Sequence, residues 1–393
     1  MEFNFHHIGG RWGTIPPVET WGMFKRYLNV TLYEVDPKSY DEIQRRLLKE
    51  PAPYGILNVV PYCVGSEDGY IDLNLCFDRN TCSTLPFNTV FSNWSFFLEK
   101  FDRGVYQLGV ANAGRESLRV PSNTLDVLVA RNEVNTPDGL SIDAEGASME
   151  ILKGAAISLN SVSAVFLEGN VVSVRHGEAP FHELLSYLQE KGFLLISMGT
   201  ESRLSIIELP ACVYDRGVIT TFEDSIFLRN PFSVNSPEML LKLAFVALLC
   251  GCTSILHVCF DKLDTLNFNF ESAPDVLREF RSRYNEIKNL KLPKINETHT
   301  ETMYNINSYI VSESEVSDNA ITENRSHRKD QLRKYVPTLR ALLDILNSYG
   351  GIYSPIFNKF GLTHLAELSL ASEKKQVSFM ARTLREVGLV KII

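Results

Sequence analysis

Between Asn4 and Leu228, short runs of β-branched and aromatic residues alternate with stretches of helical spacing, and this alternation is what most restricts the fold. Strands separated by helices pair in parallel, with the helices laid over both faces of the sheet. Asn4–Ile8 reads as a first strand running into Gly9-Gly10, Thr31–Val35 as a second closed by Asp36-Pro37, and Ile56–Val64 as a third closed by Gly65. Between them, Pro16-Pro17 opens a helical stretch through Trp21, Phe24 and Leu28, and Ser39–Glu50 places Tyr40, Ile43 and Leu47 on one helix face. Farther on, Gly139–Ile142, Val162–Leu167 and Phe193–Met198 predict strands, and Leu125–Ala130, Ser148–Leu159 and His182–Lys191 predict helices. Ser205–Leu209 and Ser225–Leu228 are candidate closing strands, one of them antiparallel. Tyr70–Leu75 alternates like an exposed strand, and Asn88–Ala113, without a clean period, reads as an insertion on the substrate side. The pattern predicts an α/β fold: a doubly wound, mostly parallel, Rossmann-like sheet followed by a helical C-terminal region.

A chain of 393 residues exceeds a single core, which stops growing near roughly 250–300 residues. The expected division is an α/β domain over residues 1–232, a helical extension over 233–289, a polar linker or loop over 290–327 and a small helical region over 328–393. Met239–Phe260 is strongly apolar but carries Lys242 and His257, so it reads as one buried helix and not as a membrane span. A net charge of −8 argues against nucleic acid as a partner. The seven cysteines are odd in number and scattered, as expected of reduced thiols in a cytoplasmic protein, and no signal peptide opens the chain.

Ligands of doubly wound sheets bind beyond the carboxyl ends of the strands, so the residues after each strand are the first candidates. Gly9, Gly10 and Gly13 follow the first strand, where glycine lets the backbone approach a cofactor; a plain structural turn explains them equally well. Glu34, near the end of the second strand, is placed to accept the ribose hydroxyls of an adenosine-containing cofactor, whereas Asp36 reads as a turn residue before Pro37. The segment Ser141-Ile142-Asp143-Ala144-Glu145-Gly146-Ala147 sets two carboxylates and a glycine between a strand and a helix, more than capping alone requires. Glu168 follows the next strand, and His176 lies beside Arg175 in the loop after it. No full Gly-x-Gly-x-x-Gly follows the first strand, which counts against a nicotinamide-dependent oxidoreductase. No metal site is expected: His6 and His7 point to opposite faces of a strand, no Cys-x-x-Cys occurs, and Asp143 with Glu168 is the weaker alternative as a divalent-cation pair.

Asp143, Glu145, Gly146, Ala147, Glu150, Leu152, Lys153 and Gly154 together resemble the signature of the FkbM family of methyltransferases. The resemblance extends to Tyr33–Pro37, Val64–Gly69, Cys82–Leu85 and Phe181–Phe193, and spans roughly Phe5 to Pro231. It implies a class I methyltransferase sheet and S-adenosylmethionine as cofactor. It also implies transfer of a methyl group to a hydroxyl of a sugar, glycan or small natural-product-like acceptor. On this reading His7, Gly9, Gly10, Gly13, Glu34, Cys63 and Asp143 contact the cofactor, with Cys63 either beside the adenine or, equally well, a small core residue. Asp143, Glu145 and Glu168 serve the chemistry. One position departs from the family, because the aspartate two residues before the first glycine is His7 here. The alternative that follows is a silent methyltransferase-like scaffold or binding module that has lost its cofactor. On either reading the helical C-terminal region is a candidate to present substrate, to form a homo-oligomer or to bind a partner, and its sequence leaves the three open.

Overall fold

The computed structural model describes residues 1–9, 22–49, 55–98, 104–206 and 217–288. They divide into a compact unit running from Met1 to Ala273 and a second beginning at Pro274. Of the second, the helix Asp275–Lys288 is the element within the described residues.

The first unit is built on seven strands: β1 (Phe3–Ile8), β2 (Leu28–Tyr33), β3 (Ile56–Val60), β4 (Gly139–Ile142), β5 (Ala164–Asn170), β6 (Phe193–Ser197) and β7 (Val218–Arg229). Their order across the sheet is β3-β2-β1-β4-β5-β7-β6, with Thr200–Leu204 added on β7. β1 to β5 run parallel, and β7 is antiparallel to β5 and β6. Strand order reverses between β1 and β4, which makes the carboxyl ends of these two strands the switch point where such sheets hold ligands. The strands are central and covered on both sides, so their residues are buried almost without alternation, His6 and His7 included. Gly139 is the residue that lets β4 lie against β1, because a Cβ there would stand 2.8 Å from the Phe3 ring and 2.9 Å from that of Phe5.

The covering helices are α1 (Pro37–Lys49), α2 (Leu125–Ala130), α3 (Ser148–Gly154), α4 (Phe181–Glu190), α5 (Pro237–Leu249) and α6 (Thr253–Thr265). α5 follows residue 232 yet belongs to the same compact unit as the sheet. Its Phe245 ring lies 5.7 Å from Phe3, and its Lys242 Nζ donates to the buried Asp138 Oδ1 at 2.9 Å. Among the described residues no helix is long and apolar enough to cross a membrane.

Several expectations are corrected. The second strand starts at Leu28 and ends at Tyr33, so Glu34 stands just beyond it. Of the helical stretch expected after Pro17, a 3-10 turn over Gly22–Tyr27 is described, and the residues before it lie outside the described set. Met239–Phe260 is two helices, broken at Gly251, whose φ of +68° lies in the left-handed region that glycine tolerates. The helix expected over Ser148–Leu159 stops at Gly154, and Asp126 draws the chain aside by accepting from Ile157 N at 2.8 Å and Ser158 N at 2.7 Å. The third apolar run divides into β3 and a short strand, Cys63–Val64. That short strand joins Gly69–Cys76 and Gly114–Asn123 in a three-stranded sheet. The stretch Asn88–Ala113 contains a further hairpin, Ser95–Leu98 with Gly104–Gln107. A strand forms at Thr200–Leu204 ahead of the expected Ser205–Leu209, whose last residues, like the expected linker and helices beyond residue 288, lie outside the described set.

Candidate active site

A cavity of about 510 Å³ opens over the switch point, of a size suited to a cofactor-sized ligand. β1 supplies Ile8 and Gly9, β2 leads into Glu34, Cys63 follows β3, and the turn after β4 contributes Asp143, Ala144 and Glu145. Gly9 has a φ of +92°, and a Cβ there would fall 2.0 Å from the Asp143 carbonyl oxygen, so only glycine fits between the two strand ends. Asp143 N in turn donates to Ile8 O at 2.9 Å and locks the turn to β1. Glu34 is buried at the rim, its Oε1 accepting from Asp36 N at 2.8 Å. Asp36, read from the sequence as a turn residue, accepts from Ser39 Oγ at 2.8 Å and Lys38 N at 3.2 Å at the head of α1. Cys63 lines the cavity, and burial pushes its thiol up to about 11.

Glu168 also faces the cavity, from a β-bulge in β5 where the register to β7 shifts between Leu167 and Gly169. Such bulges re-aim a side chain out of the regular ladder. Burial, then the neighbouring Asp143 and Glu145, holds the Glu168 carboxyl well above the usual range, and it is hydrogen-bonded to Asp143. Glu145 stands next to this pair with a side chain 27% exposed. Burial pushes it up to about 7, Arg175 pulls it down and Asp143 pushes it up again.

Arg175 is what the sequence reading missed. The neighbouring His176 was the candidate there, but it is exposed and does not line the cavity. Arg175 is 3% exposed, and its Nη2 donates to Glu145 Oε2 at 3.0 Å and to Thr81 O at 2.8 Å. Its backbone N donates to Glu178 Oε2 at 3.0 Å. The sequence signal was the Gly177 turn followed by Glu178, which folds the loop inward. Ser83 was legible only as part of a resemblance; its Oγ donates to Glu145 O at 2.8 Å and ties the inserted segment to the turn after β4. Glu223 on β7 also lines the cavity, close enough to Glu168 to help raise its carboxyl, and was not foreseen.

His7 departs from its expected place. It is fully buried, lies outside the cavity wall, and pairs through Nδ1 with Ser141 Oγ at 2.9 Å. Gly10 and Gly13 lie outside the described residues. Among the described residues no group of three or more His, Cys, Asp or Glu is placed to hold a metal ion.

The family model described as the methyltransferase FkbM domain matches residues 21–195. This segment, under half of the chain, matches the FkbM methyltransferase family. The match covers β2 to β5, the signature turn after β4 and the start of β6, and leaves β1 outside. Among solved structures, the chain is similar to methyltransferase FkbM from Methylobacillus flagellatus KT at 12% identity and a TM-score of 0.32. That likeness covers 58% of this chain and 43% of the other, so the chain spans less than half the length of that protein. A tRNA methyltransferase from Streptococcus pneumoniae is similar at 11% identity and a TM-score of 0.27, over 78% of this chain and 89% of the other. No curated protein matches the chain. Glu34, Cys63, Asp143, Glu145, Glu168 and Arg175 all lie within the matched segment.

Proposed function

We propose that the chain is an S-adenosylmethionine-dependent O-methyltransferase acting on a hydroxyl of a sugar, glycan or small natural-product-like acceptor. The observation that carries this reading is a cavity at the switch point with Glu34 at one part of its wall and the group Asp143, Glu145 and Glu168 at another. The residues present suit the cofactor. Gly9 leaves backbone exposed at the tip of β1, Glu34 is a carboxylate of the kind that accepts ribose hydroxyls, and an acidic wall favours a sulfonium cation. Bound there, the cofactor supplies an electrophilic methyl group.

The chain's own residues have two tasks, positioning the acceptor and taking its proton. Glu145 is the base in this reading, because its carboxyl, at about 7, is near the pH at which a base both accepts a proton and is available unprotonated. Arg175 holds the Glu145 carboxylate in place, and the pair Asp143–Glu168 presents hydrogen-bonding groups to the acceptor hydroxyl. His7, fully buried off the cavity wall, gives no reason of its own to favour the silent-scaffold alternative. Calorimetric titration with S-adenosylmethionine tests the reading: saturable binding, lost in Glu34→Ala and kept in Glu145→Gln, is expected. A parent chain that binds no cofactor would overturn it.

A further inference from the structure

We propose that Cys76 and Cys82 are a peroxide-oxidisable thiol pair whose conversion to a disulfide distorts the wall of the methyltransferase cavity. The effect on the cavity rests on the function proposed above; the bond itself does not.

The two cysteines sit at the mouth of a tight loop. Asn74 and Ser83 pair across it as an antiparallel bridge, with Asn74 N donating to Ser83 O at 2.8 Å and Ser83 N to Asn74 O at 3.3 Å. Inside that bridge, Cys76 N donates to Cys82 Sγ at 3.3 Å, which brings the Cys82 thiol against the Cys76 backbone, and Cys76 Sγ donates to Asn74 O at 3.7 Å. Both are reduced in the structure. Cys82 lines the cavity, which gives a small oxidant a path to it, while Cys76 is 2% exposed behind it. An accessible thiol backed by a second in contact is the arrangement of an attacking and a resolving cysteine.

The loop between them holds the site. Thr81 O accepts from Arg175 Nη2 at 2.8 Å, and Ser83 Oγ donates to Glu145 O at 2.8 Å. Thr81 Oγ1 is anchored in turn to Ala111 O at 3.1 Å. A covalent bond brings two sulfur atoms to about 2 Å, much closer than any non-bonded sulfur contact. A loop pinned at Asn74 and Ser83 has little slack, so the closure moves Cys82 and Ser83, which themselves line the cavity, and with them the contacts to Arg175 and Glu145.

The chemistry balances with a hydroperoxide as oxidant. Cys82 sulfur attacks one peroxide oxygen, the O–O bond breaks, and Cys82 becomes a sulfenic acid as one water (or alcohol) leaves. Cys76 sulfur then attacks the sulfenic sulfur, the S–O bond breaks, and the oxygen departs as water with the Cys76 proton. Cys63 is the competitor, since it lines the same cavity and belongs to the apolar cluster against which Cys82 packs.

The test uses the full chain, reduced, treated with stoichiometric hydrogen peroxide, alkylated and mapped by peptide mass spectrometry. The expected result is a Cys76–Cys82 cross-link with loss of two hydrogens and two thiols. Affinity for S-adenosylmethionine should fall about tenfold and return with dithiothreitol. Cys76→Ser should bind the cofactor like the parent when reduced, form no cross-link and show no dithiothreitol-reversible loss. A bridge from Cys82 to Cys63, oxidation of Cys82 to sulfinic acid without a bridge, or a Cys76–Cys82 bridge that leaves affinity unchanged would each overturn the proposal. A reduced chain that fails to bind the cofactor would count against the proposed function, while the mapping would still decide the bond.

Discussion

At the scale of single residues, burial decides what a side chain can do. Burial lowers the His7 imidazole to about 4 against the opposing pull of Asp143, so it is neutral at physiological pH and acts as a hydrogen-bonding partner of Ser141. His7→Asp, the change toward the family pattern, places a second carboxylate beside Asp143 away from solvent and should cost about 3 kcal/mol in denaturant unfolding. A variant as stable as the parent would contradict this account of His7. Glu145 titrates in the opposite sense. Its folded value of about 7 exceeds the ordinary 4.5, so the folded state holds a proton that the unfolded state releases, and stability falls as pH rises between the two. The stability of Glu145→Gln relative to the parent should therefore improve from pH 4.5 to pH 7 and then level off, as unfolding curves at several pH values would show. The acids were legible because they end strands, where ligands of this architecture bind. Arg175 was not, because only the tertiary fold turns a loop arginine inward while its neighbour His176 faces solvent.

At the scale of elements, the central strands were readable and their irregularities were not. Phe3–Ile8 is aromatic or aliphatic at three of its six positions and Ala164–Leu167 is apolar throughout, which a sequence displays directly. The bulge that turns Glu168 toward the cavity depends on its pairing with β7, a strand that arrives some fifty residues later in the chain. Gly169 completes that bulge, and a Cβ there would stand 2.5 Å from Phe181 Cδ2 on α4. Gly169→Ala should therefore push β5 and α4 apart and displace Glu168. The expected outcome is lower methyl transfer to an acceptor, by on the order of a hundredfold, with cofactor affinity changed far less. Equal losses in both would place the fault in the fold and not in the bulge. The three-stranded sheet escaped the reading, although Tyr70–Leu75 within it reads as a strand, because its pairing is nonlocal: Cys63–Val64 and Gly69–Cys76 meet Gly114–Asn123 across the segment between them.

At the scale of the whole unit, one buried ion pair fastens the later helices to the sheet. Asp138 accepts from Asn4 N at 2.9 Å and from Lys242 Nζ at 2.9 Å, just before β4 begins. Lys242→Met removes the cation and leaves a buried carboxylate without its charge partner, a loss of about 3–5 kcal/mol. The adjacent Glu238, exposed and also paired with Lys242, should give less than about 1 kcal/mol when changed to Gln, and unfolding curves would separate the two. The antiparallel course of β7 has a further consequence. Its first half brings Glu223 to the cavity, and its last residue, Arg229, lies at the opposite edge, where Nε and Nη1 donate to Val162 O at 3.1 Å and Lys191 O at 2.7 Å. The same strand therefore carries two traits with separate addresses. Changes near Arg229 act on the fastening of the sheet edge and changes near Glu223 on the cavity wall, so the lineage can alter either without rewriting the other.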